Sequence, residues 1–263
     1  MDRRLLIIST LFFFLAMVRT ALAIRAHTYR GGGFNFWTIA LGFVFQTAFL
    51  FVRGQAVGSC PLTNLFEVFI FLAWSVSLIH LLVGPVYRLS PMGAFTAPLV
   101  FALQTFALIA PIDSAPATVR SPSPWLEVHA AISLVAYGAF ALACVAGLMY
   151  RMQERQLKLR RLNSMFYHFP PLTDLFGAII RLVWLGFALL TVGIAAGFFT
   201  GHPLPYAKIV WSFGVWLFYA ALLLAGHLGK TAPRRIATLC VLGFSAALTL
   251  LWGITFLAPG RPL

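Results

Sequence analysis

Trp125-Leu126-Glu127-Val128-His129 opens a run that carries no charge from Ala130 to Tyr150 and closes on Arg151-Met152-Gln153-Glu154-Arg155-Gln156-Leu157-Lys158. A bilayer-spanning helix needs roughly 20 apolar residues, and this run supplies them. Its two ends differ: a histidine stands at one mouth and a basic cluster at the other. That asymmetry decides how the rest of the chain is read.

Working outward, seven further apolar runs recur, at about 5 to 24, 34 to 52, 62 to 83, 92 to 111, 177 to 199, 209 to 228 and 236 to 257, with the central run at 126 to 150. Glycine and proline gather between them, at Gly31 to Gly33, Gly58 to Pro61, Gly84-Pro85, Pro111 to Pro124, Pro170-Pro171 and Gly201 to Pro205, as punctuation between helices should. Hydrophobic residues make up 61% of the 263-residue chain and charged residues 10%, against roughly 45 to 50% apolar in an ordinary soluble domain. The expected fold is an all-α polytopic membrane bundle of about eight transmembrane helices. It forms a single integral membrane domain over residues 1 to 263.

A net charge of +13 invites a nucleic-acid partner, but the charge follows the loops. Arg151, Arg155, Lys158, Arg160 and Arg161 crowd one connection, and Lys230, Arg234 and Arg235 another two spans later. By the positive-inside rule both face the cytoplasm. The same count places Arg19, Arg25, Arg30 and Arg88 inside, and puts both termini outside. The lipid bilayer is then the anionic partner and nucleic acid is not. Arg3 and Arg4, the apolar stretch from Leu5 to Val18 and Ala21-Leu22-Ala23 also resemble a signal peptide. Cleavage after Ala23 would put the Arg151 to Arg161 cluster outside, so an uncleaved first span is preferred.

Cysteine spacing offers no C-x-x-C. Cys144 and Cys240 read as small packing residues, and Cys60, before Pro61 at an outer mouth, as a candidate reactive thiol. Ionisable groups inside spans carry more weight because burial makes them costly. Glu67, placed about two turns into the third span, is read as an acceptor orienting a histidine, as a partner of Arg181, or as a cap on a neighbouring helix.

Six histidines are distributed across the two sides. His129 and His202 fall outside, His80 and His227 near the inner ends of their spans, and His27 and His168 in inner loops. Low-spin haem takes two axial donors, for which neutral imidazole is suited. His129 with His202, and His80 with His227, are the two pairs a two-site haem protein would show. Interfacial histidines bonded to backbone or headgroups are the plainer reading, and it is favoured for His27, His80 and His168 taken singly.

Residues Leu126 to Lys158, with Ala136-Tyr137, Ala146-Gly147-Leu148-Met149-Tyr150 and Gln153-Glu154-Arg155, resemble the cytochrome c assembly transmembrane family (CcsA/CcmC-like). Thr63-Asn64-Leu65-Phe66-Glu67 with Trp74-Ser75 is similar to an early span of that family. Leu185 to Thr191 through Gly197, then Lys208, Trp211 and Trp216, is similar to its late spans. The resemblance is strongest over residues 60 to 257. It implies exposure of haem at the outer surface between two histidines, with His129 matching the first. His227 falls about one turn beyond the position of a membrane-embedded histidine. Two features of the family are missing: the tryptophan-rich W-G-x-Y-W-x-W-D loop, replaced here by Phe198 to Lys208, and a histidine after the final span. That pattern is closer to the HemX-like branch.

The expected function is a haem-binding or haem-trafficking protein of the bacterial inner membrane that supports cytochrome c maturation, with haem b as ligand and no bond-making step of its own. His129 and His202 would hold the iron at the outer face, His80 and His227 a second haem, and Trp125, Trp211 and Trp216 would face porphyrin. Apocytochrome c or other maturation proteins are the expected partners. The alternatives are a haem-free HemX-like accessory or regulatory subunit and, with less support, a small-solute transporter.

Overall fold

The structure is a computed structural model that describes residues 2–26, 33–86, 92–110, 112–113, 123–159, 170–200, 206–229 and 231–257. Helices appear where the apolar runs are: α1 Asp2–Arg25, α2 Gly33–Val57, α3 Leu65–Val86, α4 Gly93–Ile109, α5 Pro124–Lys158, α6 Leu172–Phe198, α7 Tyr206–His227 and α8 Pro233–Leu257. There is no strand among the described residues. Six of these helices are long and apolar enough to cross a membrane. α4, at 17 residues, is about 26 Å long at 1.5 Å per residue, shorter than its predicted span. The fold is a polytopic helical bundle.

Burial ranks the helices. In α5, 78% of the apolar window lies inside the bundle and in α3 67%, against 22 to 39% for α1, α2, α6 and α7. A helix that is apolar all round belongs in the middle, and α5 packs on α3, α4, α6 and α8. Its buried stretch from Ala136 to Gly147 is dominated by alanine and glycine, which lets backbones approach closely where the hydrophobic effect cannot drive helices together. A Cβ at Gly138 would lie 2.8 Å from the Ser75 main-chain carbon in α3, and one at Gly147 2.8 Å from the Ala237 carbonyl oxygen in α8.

α1, α2 and α4 form a second group, joined to α5 chiefly through α3. Hydroxyl and amide contacts hold this group together: Ser9 Oγ donates to the Gly42 carbonyl at 2.8 Å, Gln104 Nε2 to Ser9 Oγ at 3.2 Å, and Asn35 Nδ2 to Thr20 Oγ1 at 2.8 Å. α6, α7 and α8 pack around the other side of α5. At 35 residues, α5 measures about 52 Å, well beyond the roughly 30 Å hydrocarbon layer. Its last turns therefore project past the bundle, where Glu154 meets Lys158 at 2.7 Å and Arg234 of α8 at 3.6 Å.

Gly138→Val should wedge α3 away from α5 and lower stability by about 1 to 3 kcal/mol. The check is thermal unfolding in detergent, with Gly177→Val, where nothing approaches, as the unaffected control.

Candidate functional site

The start of α5 is set by local chemistry. Pro124 stands at the first helical position, where its missing N–H costs nothing, and Glu127 lies in the first turn, favoured by the positive end of the helix dipole. His129 follows one turn in. Its Nδ1 lies 2.6 Å from the carbonyl oxygen of Gly193 in α6. A carbonyl can only accept, so Nδ1 carries the proton and Nε2 of the neutral ring keeps its lone pair. The approach depends on glycine: a Cβ at Gly197 would lie 2.9 Å from Nδ1, and one at Gly193 2.6 Å from Ser133 Oγ. His129 is thus held through Nδ1 by the main chain of α6.

Trp125, one turn before His129 and half exposed, packs on Phe199 at the end of α6, with ring centroids 5.3 Å apart. The two rings, inclined at 38°, form an apolar aromatic pair one turn from the imidazole. Phe199 was not singled out from sequence. Its signal was Phe198-Phe199, aromatics standing in the segment that replaces the tryptophan-rich loop.

The other sequence candidates are placed elsewhere. His202 lies outside the described residues, as do His27 and His168. Trp211 sits deeper than the mouth, half-buried in α7, with Nε1 beside the Tyr137 hydroxyl. Trp216 packs on Phe187 at 5.1 Å and donates to Thr191 Oγ1 at 3.0 Å. His80 is buried among α2, α3 and α4, with Thr96 Oγ1 3.4 Å from Nδ1 and Gly84 and Gly93 against its ring. His227 is exposed at the end of α7, which packs on α6 and α8. The structure does not bring His80 and His227 together.

Glu67 corrects its reading. The helix begins at Leu65, so Glu67 is in the first turn of α3, not two turns in. Asn64 Oδ1 accepts the Glu67 main-chain N–H at 2.9 Å, and Glu67 Oε2 accepts from the Thr63 N–H and hydroxyl, each at 2.8 Å, a variant of the capping box. Its other oxygen accepts from Arg53 Nε at 2.8 Å. Glu67 pairs neither with Arg181 nor with a histidine. Arg53 also reaches Asp113 at 2.8 Å, and Asp113 takes a second cation, Arg3, at 2.8 Å. Two arginines and two carboxylates therefore form a clasp that joins α1, α2, α3 and the segment after α4. It lies at the same end of the bundle as His129, because α3 and α5 run parallel.

Cys60 sits beside this clasp. Burial pushes its thiol up to about 11, and the nearby Glu127 and Glu67 carboxylates push the same way. The thiolate is the nucleophile, so burial and the two carboxylates work against the reactive-thiol reading of Cys60.

The family described as Cytochrome C assembly protein matches residues 62–260. The chain belongs to the cytochrome c assembly family. A "Cytochrome c biogenesis protein CcsA" of Synechococcus sp. strain JA-3-3Ab is 28% identical over 81% of this chain and 80% of that protein. Those of Prochlorococcus marinus strain MIT 9215 and Porphyra purpurea are 25% identical over 97% and 92%, and 26% over 79% and 79%, respectively. These relatives bear the CcsA name, so the HemX-like placement gains no support from them. The family match covers His129, Gly193, Glu67 and Asp113 and begins after α2, so both cations of the clasp come from helices that precede it.

Arg53→Met would leave the fully buried Glu67 carboxylate without its cation and should cost about 3 to 5 kcal/mol. Adding Glu67→Gln, which keeps the cap acceptor, should recover most of that loss in the same unfolding assay.

Proposed function

We propose that this chain handles haem during cytochrome c maturation and binds it at the mouth between α5 and α6 through Nε2 of His129. The observation that carries this reading is the 2.6 Å contact from Nδ1 to the Gly193 carbonyl. It fixes the tautomer and aims the ring, the arrangement that metal-ligating histidines use. The paired rings of Trp125 and Phe199 offer apolar surface to the porphyrin face or edge. The family and its CcsA-named relatives support a part in cytochrome c biogenesis.

Haem, as haem b, is cargo in this account. His129 would hold its iron, and His202, in the connection between α6 and α7, is the candidate for a second ligand. The chain's own residues bind and present the cargo and form no bond in it. The site faces the outer side of a bacterial inner membrane, with both termini on that side, and apocytochrome c or another maturation protein is the receiver. A second haem between His80 and His227 is not proposed, since His80 is enclosed by α2 and α4 and His227 stands apart on α7.

The test is haem content by pyridine haemochrome in the full chain, expressed with haem supplied and purified in detergent. His129→Gly should lose most of its haem and regain it with added imidazole. Gly197→Val, which drives a side chain into the ring, should weaken haem binding about 10- to 100-fold with His129 intact. Unchanged haem in His129→Gly would overturn the site. A wild-type chain purified without haem would favour the haem-free accessory reading.

A further inference from the structure

α5 is the most enclosed of the long helices, and its second half opens on one side only. Between Ala136 and Glu154 the exposed residues are Leu148, at 42%, and Met152, at 40%. Arg155 and Leu159, also exposed, continue the row at steps of three and four. Residues at those spacings share a helix face, whereas Met149, Tyr150 and Gln153, on other sides of the same turns, are buried. The central helix therefore shows its surroundings a narrow stripe, apolar at Leu148 and Met152 and cationic at Arg155.

Charge at this end of the bundle is one-sided. Three cations share the Glu154 carboxylate: Lys158 at 2.7 Å, Arg234 of α8 at 3.6 Å and Arg151 at 3.7 Å. Only the lysine is close enough for a hydrogen bond. Arg155 pairs with no carboxylate among the described residues, and the first turn of α8, which holds Arg234 and Arg235, contains no acid. Arg151 and Arg155 are four residues apart and so lie one above the other on α5. Their guanidinium groups keep donors to offer, in the fork geometry that matches a phosphate.

Depth fits a lipid as well. The two arginines are separated by about 6 Å along the axis, close to what the headgroup layer adds on each side of the hydrocarbon core. Leu148 and Met152 approach the same level from the membrane-embedded part of the helix. A soluble anion would meet the charge but not the stripe, and a neutral lipid the stripe but not the charge. A lipid with an anionic headgroup meets both, the combination that basic sites between membrane helices select.

We propose that the end of α5 opposite His129 binds one anionic phospholipid, its phosphate held by Arg151 and Arg155 and an acyl chain lying along Met152 and Leu148. The stripe runs into the apolar part of the helix, which favours a lipid over an acidic protein segment arriving from water. The proposal does not require that haem bind at His129.

Native mass spectrometry of the full chain in detergent, with phosphatidylglycerol and phosphatidylcholine added in equal amounts, tests it. The wild type should retain phosphatidylglycerol several-fold over phosphatidylcholine. Arg151→Gln with Arg155→Gln should abolish that preference, and Arg155→Gln alone, which leaves the Glu154 contacts in place, should lower it by half or more. Arg25→Gln, which removes an exposed arginine from the last turn of α1, should leave it unchanged. Leu148→Ala with Met152→Ala should weaken phosphatidylglycerol retention with both arginines present. Equal retention of the two lipids by the wild type, or a preference that survives loss of both arginines, would overturn the proposal. An equal loss in Arg25→Gln would make the preference a property of overall charge and overturn the site. Retention unchanged by the two alanines would mean an anion held by charge alone, as a soluble phosphate or an acidic segment would be, and would overturn the lipid.

Discussion

The site depends on one close approach. α6 presents Gly193 and Gly197 to α5, and the missing side chains leave room for an imidazole whose Nδ1 reaches a main-chain oxygen at 2.6 Å. A larger residue at either position would push the helices apart or turn the ring. The same absence of side chains that lets the helices pack in lipid therefore also chooses the tautomer. Packing and chemistry are one constraint here, and the Trp125 and Phe199 pair follows from it, since both residues flank the seam one turn away.

The clasp at the same end performs a different task. Arg53, Arg3, Glu67 and Asp113 sum to no net charge, and the buried Glu67 has each oxygen occupied. Such a cluster adds little stability beyond what well-packed apolar residues would give, but losing one member exposes the others to a low-dielectric surrounding. Its value lies in geometry. It ties the hairpin of α1 and α2 to the segment that leads from α4 toward the α5 mouth, so the connection before His129 starts from a fixed point.

Most of the fold was legible in the sequence because the bilayer imposes it. Helices are the economical way for one chain to satisfy its backbone in hydrocarbon, so apolar length and the Gly and Pro breaks located all eight. The candidacy of His129 was legible as well, from its place at the mouth of an uncharged run. Pairings between distant helices were not. Sequence distance hides that Arg53, not Arg181, meets Glu67, since nothing local says which cation shares its end of the bundle. The depth of Trp211 and the enclosure of His80 were hidden for the same reason: each depends on which helix packs alongside. Cys60 was a reactive candidate by position, and its burial beside two carboxylates, which works against the thiolate, was not visible there.

The most direct test of the central claim is an experimental structure of the haem-loaded chain. The account predicts haem iron bonded to Nε2 of His129 at about the 2.0 to 2.1 Å usual for imidazole–metal bonds, with Nδ1 still on the Gly193 carbonyl and the porphyrin beside Trp125 and Phe199. Iron bound through Nδ1, or haem seated away from the mouth between α5 and α6, would contradict it.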